Sequence, residues 1–443
     1  MEVQSSFIQA MTVAIVGSGP SGCYTAQFLR KELPLADITV FERLPVPYGL
    51  VRYGVAGDHQ GTKNVTRQFD RMFDRERVRF AGNVALGKTV SLADLRECFD
   101  ITILATGLSG DRALMIPGAE LAGIYGAGRM TRLLNAHPDE ARFEPVLGRR
   151  VVIVGNGNVA IDLVRLLSKG PEHLDGTDVS HMHGHLYVPH RHIDVVGRTA
   201  AAVAKFDTAL IRELGRTPGV RYRILGALEP RDNRPIDEAK LTALLELERS
   251  SEHATERTVD FHFGWAPVAV LGTSQVEAVH FQSSDEGRRN MVLPAESVIT
   301  AIGFCPHPEQ ELLSDAFVGQ HTELETGRVP SDLYSVGWLR RGPRGGIPDN
   351  RDDARTIVGA VTAAVRSGSL SFGKPGFCAL PSSIKEAAIN FEGWKRIDRA
   401  ELDSTPPERL RAKISSIDEM LTIARSVNHA NDAPGLKDEG VIG

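Results

Sequence analysis

The sequence predicts an α/β fold built from two parallel-sheet units, and two observations carry that prediction. An apolar run, Val13–Val16, is followed by glycines in G-x-G-x-x-G spacing, and the same order of apolar strand, glycine loop and helix begins again at Arg150. Near-continuous apolar runs are typical of parallel strands buried on both faces. We therefore expect two Rossmann-like dinucleotide-binding domains, with residues 111–299 inserted into a discontinuous domain of residues 1–110 and 300–443.

The first glycine loop has a physical reason for each glycine. Gly17 makes the tight turn, Gly19 lets the backbone approach a pyrophosphate, and Gly22 allows close packing of helix on strand. The free N–H groups of the following helix favour the phosphates, so Pro20 and Ser21 are included in the predicted site. The alternative is a glycine-rich turn in another doubly wound domain.

A second strand, Asp37–Phe41, supports the dinucleotide interpretation. It ends in Glu42, roughly 20 residues after the glycines, where a carboxylate accepts hydrogen bonds from a ribose. The order of strand, glycines, helix, strand and acid is far more specific than the glycines alone.

Composition limits the function classes. The 443 residues include 42% hydrophobic and 24% charged residues, and the net charge of −5 argues against a chain that binds nucleic acid as a whole. No apolar run reaches membrane-spanning length, and residues 1–10 lack the features of a signal peptide. We expect a cytoplasmic protein with a loose lead (1–10) and a loose tail (428–443).

Four cysteines, Cys23, Cys98, Cys305 and Cys378, lie far apart in the sequence. The chain therefore has no C-x-x-C pair and no cysteine spacing typical of a zinc or iron–sulfur site. Electrons must pass through an organic cofactor, and we expect no metal site. A histidine-rich segment, 181–192, is more consistent with a solvated loop than with a strand whose histidines share one face and bind a metal.

Basic residues follow the loop of residues 45–59, which is predicted to lack regular structure. Thr62 is predicted to cap a helix that runs to about Asp74. On that helix Lys63, Arg67 and Arg71, with Arg75, would form one stripe at i, i+4 spacing. The stripe is either a solvated face or a docking site for an acidic partner.

The second glycine loop has the spacing G-x-G-x-x-A, with Gly155, Asn156, Gly157 and Asn158 before Ala160. Two dinucleotides in one chain are useful together if a hydride passes between them. The strand Ile193–Gly197 ends in Arg198 instead of an acid, which favours a 2′-phosphate over a free ribose diol. Arg198 could instead be an ordinary surface residue.

The remaining chain is predicted to return to the first domain at the strand Val298–Gly303. A later strand leads into Trp338 and a glycine-rich loop that contains Gly345, Gly346 and Ile347. Glycine lets the backbone approach a flat ring, and Trp338 could stack on one. A helix over residues 352–365 would point its N-terminus toward that ring.

These motifs resemble the adrenodoxin-reductase-like ferredoxin–NADP reductases from about Val13 to Ala424. The resemblance rests on VAIVGSGPSG, PYGLVRYGVAGDH, ILATG, NAHPD, VVIVGNGNVAID, VVGR, the loop that follows Gly337, and FEGWKRID. It implies FAD in the first domain, NADPH in the second, and one-electron delivery to a ferredoxin-type iron–sulfur protein.

The resemblance also implies individual site residues. FAD would be held by Gly17, Gly19, Gly22, Glu42, Leu50, Trp338 and Gly345, and the nicotinamide nucleotide by Asn156, Gly157, Asn158, Val159 and Arg198. His59 and Glu213 match polar residues that the family places near flavin and nicotinamide. They would act in proton handling, or only as an orienting hydrogen-bonded pair.

Departures from the family pattern concern the nucleotide. The family's second phosphate-binding arginine is Thr199 here, an expected acid falls on Leu210, and Pro348–Asp349 replaces a smaller, glycine-containing pair. A lost charge-assisted bond is worth roughly 1.5–3 kcal/mol, so NADPH preference could be weakened or turned to NADH.

The predicted function is transfer of hydride from NADPH to FAD and of single electrons to a ferredoxin-type carrier that docks near Lys63, Arg67 and Arg71. We expect a monomer. One alternative is a flavoprotein reductase that serves an oxygenase partner, a quinone or dioxygen. The other is a flavin-binding redox sensor without turnover.

Overall fold

The computed structural model describes residues 11–426, apart from 171–172, 187–190, 307–321, 324, 330–331 and 371. The expected loose lead and tail lie outside the described residues. The strands, in chain order, are β1 (Thr12–Val16), β2 (Asp37–Phe41), β3 (Val78–Ala81), β4 (Ile101–Leu104), β5 (Gly110–Asp111), β6 (Ile124–Gly126), β7 (Arg150–Val154), β8 (His192–Gly197), β9 (Val220–Gly226), β10 (Arg257–Phe263), β11 (Trp265–Gly272), β12 (Val276–Ser283), β13 (Asn290–Pro294), β14 (Ser297–Thr300), β15 (Phe304–Cys305), β16 (Arg328–Val329) and β17 (Leu333–Ser335).

The described α-helices connect and cover these strands. They are α1 (Pro20–Glu32), α2 (Leu50–Tyr53), α3 (Gln60–Lys63), α4 (Thr66–Arg75), α5 (Leu92–Cys98), α6 (Ala127–Leu134), α7 (Asn158–Leu167), α8 (Thr208–Leu214), α9 (Glu238–Ser250), α10 (Trp338–Arg341), α11 (Ile347–Arg366), α12 (Ser382–Ala387), α13 (Phe391–Asp403) and α14 (Ile417–Arg425). Across the described part of the chain, none of them combines the length and the apolar character that crossing a membrane requires.

The first sheet has the strand order β16-β17-β4-β1-β2-β3 and is parallel except for β16. Val13 of the central strand β1 pairs with Ile38 on one side and Ile101 on the other. Apolar side chains of α1 and α11 pack on one face, where Ile15 and Ile357 are fully buried. This parallel sheet with helices packed on it confirms the α/β prediction for the first glycine loop.

The second sheet has the order β6-β14-β7-β8-β10-β9, and all its ladders are parallel. An antiparallel sheet of β11, β12 and β13 covers one face and buries Val152, Val196 and Phe281. Helices α6 to α9 pack on the other face. On the opposite face of the first sheet, Ala14 and Phe41 pack with Leu95 of α5 and Ile384 of α12, so each parallel sheet has both faces covered, as its apolar strands require.

One strand assignment is wrong. We expected Val298–Gly303 to return the chain to the first domain, but β14 pairs with β6 and β7 inside the second sheet. The chain leaves that sheet just afterwards, where Phe304 and Cys305 pair antiparallel with Asp111 and Gly110. An apolar strand sequence does not determine which of two similar sheets it joins.

The segment around Lys63 also differs from the prediction. Two helices, α3 and α4, replace the single helix capped by Thr62, and a short helix, α2, begins at Leu50 in the expected loop. Lys63 is buried, and its Nζ donates to Asp178 at 2.7 Å and to Asn135 at 2.9 Å. These partners come from distant parts of the chain, so Lys63 is unavailable for docking a carrier.

Candidate functional site

The first glycine loop lies at the carboxyl end of β1, and its glycines have different surroundings. A Cβ on Gly22 would lie 1.9 Å from the carbonyl oxygen of Gly17, so this position has no room for a side chain. A Cβ on Gly19 would meet no protein atom within 4 Å. The absence of a side chain at Gly19 therefore serves the approach of something other than protein, which fits a pyrophosphate.

Glu42 is held beside that loop. Its Oε2 accepts hydrogen bonds from the Ser18 hydroxyl at 2.6 Å and from the Ser18 N–H at 3.1 Å, and its Oε1 accepts from the Leu44 N–H. These bonds orient a carboxylate at the end of β2, one strand from the glycines. The arrangement fits a ribose whose hydroxyls donate to the remaining lone pairs.

Two segments border the glycine loop on its other side. The segment before Leu50 approaches closely, since a Cβ on Gly49 would lie 3.1 Å from the Cα of Gly19. At the start of α11, the Ser21 hydroxyl donates to Asn350 Oδ1 at 3.1 Å. The segments that contain Leu50 and Gly345–Ile347 are thus brought to the loop of Gly17–Gly22.

Trp338 begins α10 and has partners of its own. Its Nε1–H donates to the Gly345 carbonyl at 3.2 Å, and its ring lies 5.3 Å from that of Phe304 at 31°. Stacking of Trp338 on a cofactor stays a prediction. Helix α11 begins at Ile347, five residues earlier than expected, because Asp349 accepts a hydrogen bond from the Gly346 N–H at 2.7 Å and stabilises the first turn.

The second glycine loop repeats this construction between β7 and α7. A Cβ on Gly157 would meet no atom within 4 Å. Asn156 Nδ2 is buried without a hydrogen-bond partner, and Gly197 gives it room, since a Cβ there would lie 2.0 Å from that nitrogen. An open glycine and an unpaired amide donor fit a second, hydroxyl- and phosphate-rich ligand.

Polar neighbours define the rest of that loop. Asn158 Nδ2 donates to Asp207 Oδ2 at 2.7 Å, and its Oδ1 accepts from the Asp207 N–H at 2.8 Å, so its amide is fixed at the start of α7. Arg198 is exposed directly after β8. Leu210 is partly buried against the core of this sheet, a role that an acid at that position could not take.

His59 and Glu213 meet although 154 residues separate them. His59 Nε2 lies 2.7 Å from Glu213 Oε2, and His59 Nδ1 lies 3.7 Å from Asp162 Oδ1. Asp162 lies about one helical turn after Asn158, so the imidazole lies close to the second glycine loop. The hydrogen bond with Glu213 orients the ring, and Asp162 places a second carboxylate near its other nitrogen.

Sequence reasoning missed Arg165, which organises this cluster. Its side chain is almost fully buried and contacts Asp58 at 2.8 Å, Asp162 at 2.9 Å and Glu213 at 3.4 Å. The available signal was the i, i+3 pair of Asp162 and Arg165 behind a glycine loop, with Asp58 directly before His59. The partners of Arg165 come from three separate segments, so spacing alone could not reveal them.

The burial of this cluster shifts the pKa values of its carboxyl groups. Burial raises the pKa of Asp162, and the charges of Arg165 and His59 only partly oppose it. Burial alone would also raise the pKa of Asp58, but hydrogen bonds and charge from Arg165 and Lys169 hold it well below its usual range. Asp58 therefore stays ionised and ties the segment that carries His59 to α7.

The histidine-rich segment forms a helical turn, His181–Leu186, and not a strand; residues 187–190 lie outside the described part of the chain. Farther on, ligand-type atoms of His192, Asp194 and Asp260 lie within 4.8 Å of one another. Arg223 donates to Asp260 and His262 Nε2 lies 2.7 Å from Asp194. The group is accordingly a buried ion-pair network whose carboxylates already have partners.

Comparisons agree with this architecture. Residues 11–192 match the family model for pyridine nucleotide-disulphide oxidoreductases. Cindoxin reductase of Citrobacter braakii is 41% identical over 94% of this chain and 92% of its own, and human mitochondrial NADPH:adrenodoxin oxidoreductase is 31% identical over 88% and 87%. The structure of Mycobacterium tuberculosis FprA in complex with NADPH superposes with a TM-score of 0.80 at 28% identity, covering 94% of this chain and 99% of that one.

Two dinucleotide-binding folds joined in this way define the class of two-domain flavin- and nicotinamide-dependent oxidoreductases. Within that class, the chain belongs to the family of ferredoxin–NADP and adrenodoxin reductases. It is an oxidoreductase that uses FAD and NADPH, as predicted.

Proposed function

We propose that this protein takes electrons from NADPH through FAD and delivers them one at a time to an acidic, ferredoxin-type iron–sulfur protein. The observation that carries the proposal is the pair of glycine loops, each with an open glycine where a pyrophosphate approaches. When bound, the nicotinamide would supply a hydride and the flavin would provide the conversion to single electrons. The side chains of the protein bind, orient and shield these groups.

For the flavin, we propose contacts from two sides of the first sheet. Gly17, Gly19, Pro20, Ser21 and Gly22 would surround the pyrophosphate, and Glu42 would accept from the ribose. Leu50, Trp338, Gly345, Gly346 and Ile347 would enclose the ring. Support comes from the hydrogen bonds that already orient Glu42 and from the Ser21–Asn350 bond that joins the two sides.

For the nicotinamide nucleotide, we propose that Gly155, Asn156, Gly157, Asn158 and Val159 hold the pyrophosphate and ribose. The buried amide nitrogen of Asn156, which has no hydrogen-bond partner in the protein, would donate to this ligand. Arg198 would neutralise the 2′-phosphate alone, since Thr199 replaces the second arginine. The side chain of Arg198 is exposed and free to reach such a group.

His59 and Glu213 would keep the nicotinamide end of the site ordered. The 2.7 Å contact between them spans the segments from the two predicted domains, and Arg165 holds Glu213 and Asp162 on either side of the imidazole. We propose an orienting role that also allows His59 to hold a proton at Nε2. Arg165 would stabilise this arrangement, because it pairs with Asp58, Asp162 and Glu213.

The carrier would dock beside α4. Arg67, Arg71 and Arg75 are exposed on that helix, and the same helix contributes Asp70, to which the Tyr48 hydroxyl donates. Tyr48 lies two residues before Leu50, so this basic face adjoins the proposed flavin site. Complementary charge would steer an acidic carrier to that side.

The first experiment is anaerobic reduction of the flavin by NADPH and NADH, run side by side on purified protein. Fast bleaching by NADPH alone supports the proposed fuel and the sufficiency of Arg198. Equal or faster bleaching by NADH would support the reductase function and identify NADH as its electron donor. Bleaching by neither would overturn the reductase and leave a flavin-binding sensor.

Docking is tested with the double variant Arg67→Glu and Arg71→Glu. Reduction of a ferredoxin should fall and lose its dependence on salt, while reduction of ferricyanide stays unchanged, since a small acceptor needs no docking surface. The control is Arg221→Glu with Arg249→Glu, which makes the same change in net charge on exposed positions of the second sheet and its helix. Equal losses in both double variants, or equal loss with ferricyanide, would contradict the docking site.

A further inference from the structure

Strand order indicates where a bound flavin ring would lie relative to α11. In the first sheet, β2 with Glu42 lies on one side of β1, and β4 and β17 lie on the other. A dinucleotide whose ribose meets Glu42 and whose pyrophosphate meets the loop after β1 continues toward the ends of β4 and β17. Strands are about 4.8 Å apart, so the ring would lie beside the segment that follows β17 and leads through α10 to the start of α11. This step rests on the flavin site proposed above.

The start of α11 contains a carboxylate. Asp349 accepts a hydrogen bond from the Gly346 N–H at 2.7 Å. Gly345 has a φ of +76°, and a Cβ there would lie 2.4 Å from the Asp349 carboxyl carbon. Glycine at 345 thus makes the room that Asp349 occupies. The turn is tied to the first glycine loop through Asn350, so Asp349 is fixed relative to the proposed ring site.

Two nearby cations are engaged elsewhere. Arg340 and Arg341 both pair with Asp353, which is 5% exposed, and Arg341 also donates to Asn350. The hydrogen bond to Asp349 comes from a neutral amide. Its negative charge is therefore not cancelled by the group that it contacts.

A free helix N-terminus favours negative charge, because its unpaired N–H groups and the helix dipole are positive. Reduction adds negative charge to a flavin. We propose that Asp349 tunes the flavin: it takes up an N–H at the start of α11 and places a carboxylate there, which disfavours the reduced flavin and lowers its reduction potential. The reduced enzyme is then a stronger electron donor to its carrier.

The variant Asp349→Asn tests this inference with a measurement that does not depend on turnover. Asparagine keeps an oxygen that accepts from the Gly346 N–H, so the helix start is preserved and only the charge is removed. The flavin-loaded protein is equilibrated with a reference dye while both are slowly reduced. We expect the ratio of reduced to oxidised flavin to rise about tenfold at a given dye potential, equivalent to about 30 mV for a two-electron couple.

The matched control is Asp352→Asn. Asp352 lies on the same helix, one turn farther from its N-terminus, and its Oδ1 lies 3.2 Å from an Arg355 nitrogen. We expect no change in the flavin ratio for this variant. Asp349→Thr, with a neutral side chain that can still accept from a backbone N–H, should shift the ratio in the same direction as Asp349→Asn.

The outcomes separate this inference from the function on which it rests. A wild-type protein that takes up no FAD overturns the proposed function and this inference together. Flavin-loaded Asp349→Asn and Asp349→Thr with the wild-type potential overturn only the tuning role. An equal shift in Asp352→Asn would reduce the effect to net charge and would also overturn it.

Discussion

The two glycine loops share a backbone plan and differ in how far each is prepared for its ligand. In the first, Glu42 is already oriented by two bonds from Ser18, and α11 joins the loop through Asn350. In the second, Arg198 is exposed and the amide nitrogen of Asn156 has no hydrogen-bond partner. The comparison teaches that one backbone plan can carry a carboxylate already oriented by its neighbours in one loop and a buried amide nitrogen without a partner in the other.

The largest expected effect concerns the third position of each glycine motif. Gly22→Ala would place a Cβ 1.9 Å from the Gly17 carbonyl oxygen, so we expect loss of soluble, flavin-containing protein. Ala160→Gly in the second loop should cost only about 1 kcal/mol of helix stability and leave expression and flavin content nearly unchanged. Expression yield and flavin absorbance measure both. A stable yellow Gly22→Ala protein would show that the first loop is not packed more tightly than the second.

The middle glycines separate folding from binding. Gly19→Ala and Gly157→Ala both add a Cβ that meets no protein atom within 4 Å, so both variants should fold. We expect Gly19→Ala to be isolated without flavin, because the Cβ blocks the pyrophosphate. Gly157→Ala should keep its flavin and lose NADP⁺ binding, measured by difference absorbance. The reverse pattern would exchange the roles of the two loops.

Nucleotide choice depends on Arg198. Arg198→Gln should weaken NADPH binding about ten- to a hundred-fold, as expected when a charge-assisted hydrogen bond is lost, and should leave NADH almost unaffected. Thr199→Arg should act in the opposite direction. Flavin reduction followed by stopped flow at increasing nucleotide concentration gives both affinities. If Arg198→Gln weakened both nucleotides equally, Arg198 would not contact the 2′-phosphate.

The smallest expected effect is a difference in acid sensitivity. Burial would raise the pKa of Asp194, but hydrogen bonds from His192 and His262 lower it to about 2. The carboxylate therefore stabilises the fold at pH values above its pKa in the unfolded chain, about 3.9, and this stabilisation is lost as the pH falls toward 2. The difference between the two pKa values corresponds to about 2.5 kcal/mol of unfolding free energy. Asp194→Asn should reduce the loss of stability between pH 5 and 2.5 in urea unfolding.

The control for that prediction is Asp37→Asn at the start of β2, where Asp37 pairs with Arg79 on a half-exposed surface. We expect its acid sensitivity to match the wild type. Equal acid responses of wild type and Asp194→Asn would mean that the network of Asp194 does not stabilise the second sheet.

Sequence sufficed where a local pattern determines the structure. Val13–Val16 with its glycines, and Asp37–Phe41, predicted β1, the loop and β2, because apolar runs and glycines act over a few residues. Prediction failed where a distant contact decides. Lys63 looked like part of an exposed stripe, yet its partner Asp178 lies 115 residues away. Arg165 was missed for the same reason.

The position of the second sheet between β4 and β17 of the first sheet in the sequence has a consequence for synthesis on the ribosome. All strands of the second sheet lie between Ile124 and Thr300, whereas the first sheet needs Leu333 to pair with Thr102 across 231 residues. The inserted unit can thus complete its sheet while the first remains unfinished. Contacts of such sequence separation slow folding, so the part of the chain that is made first is completed last.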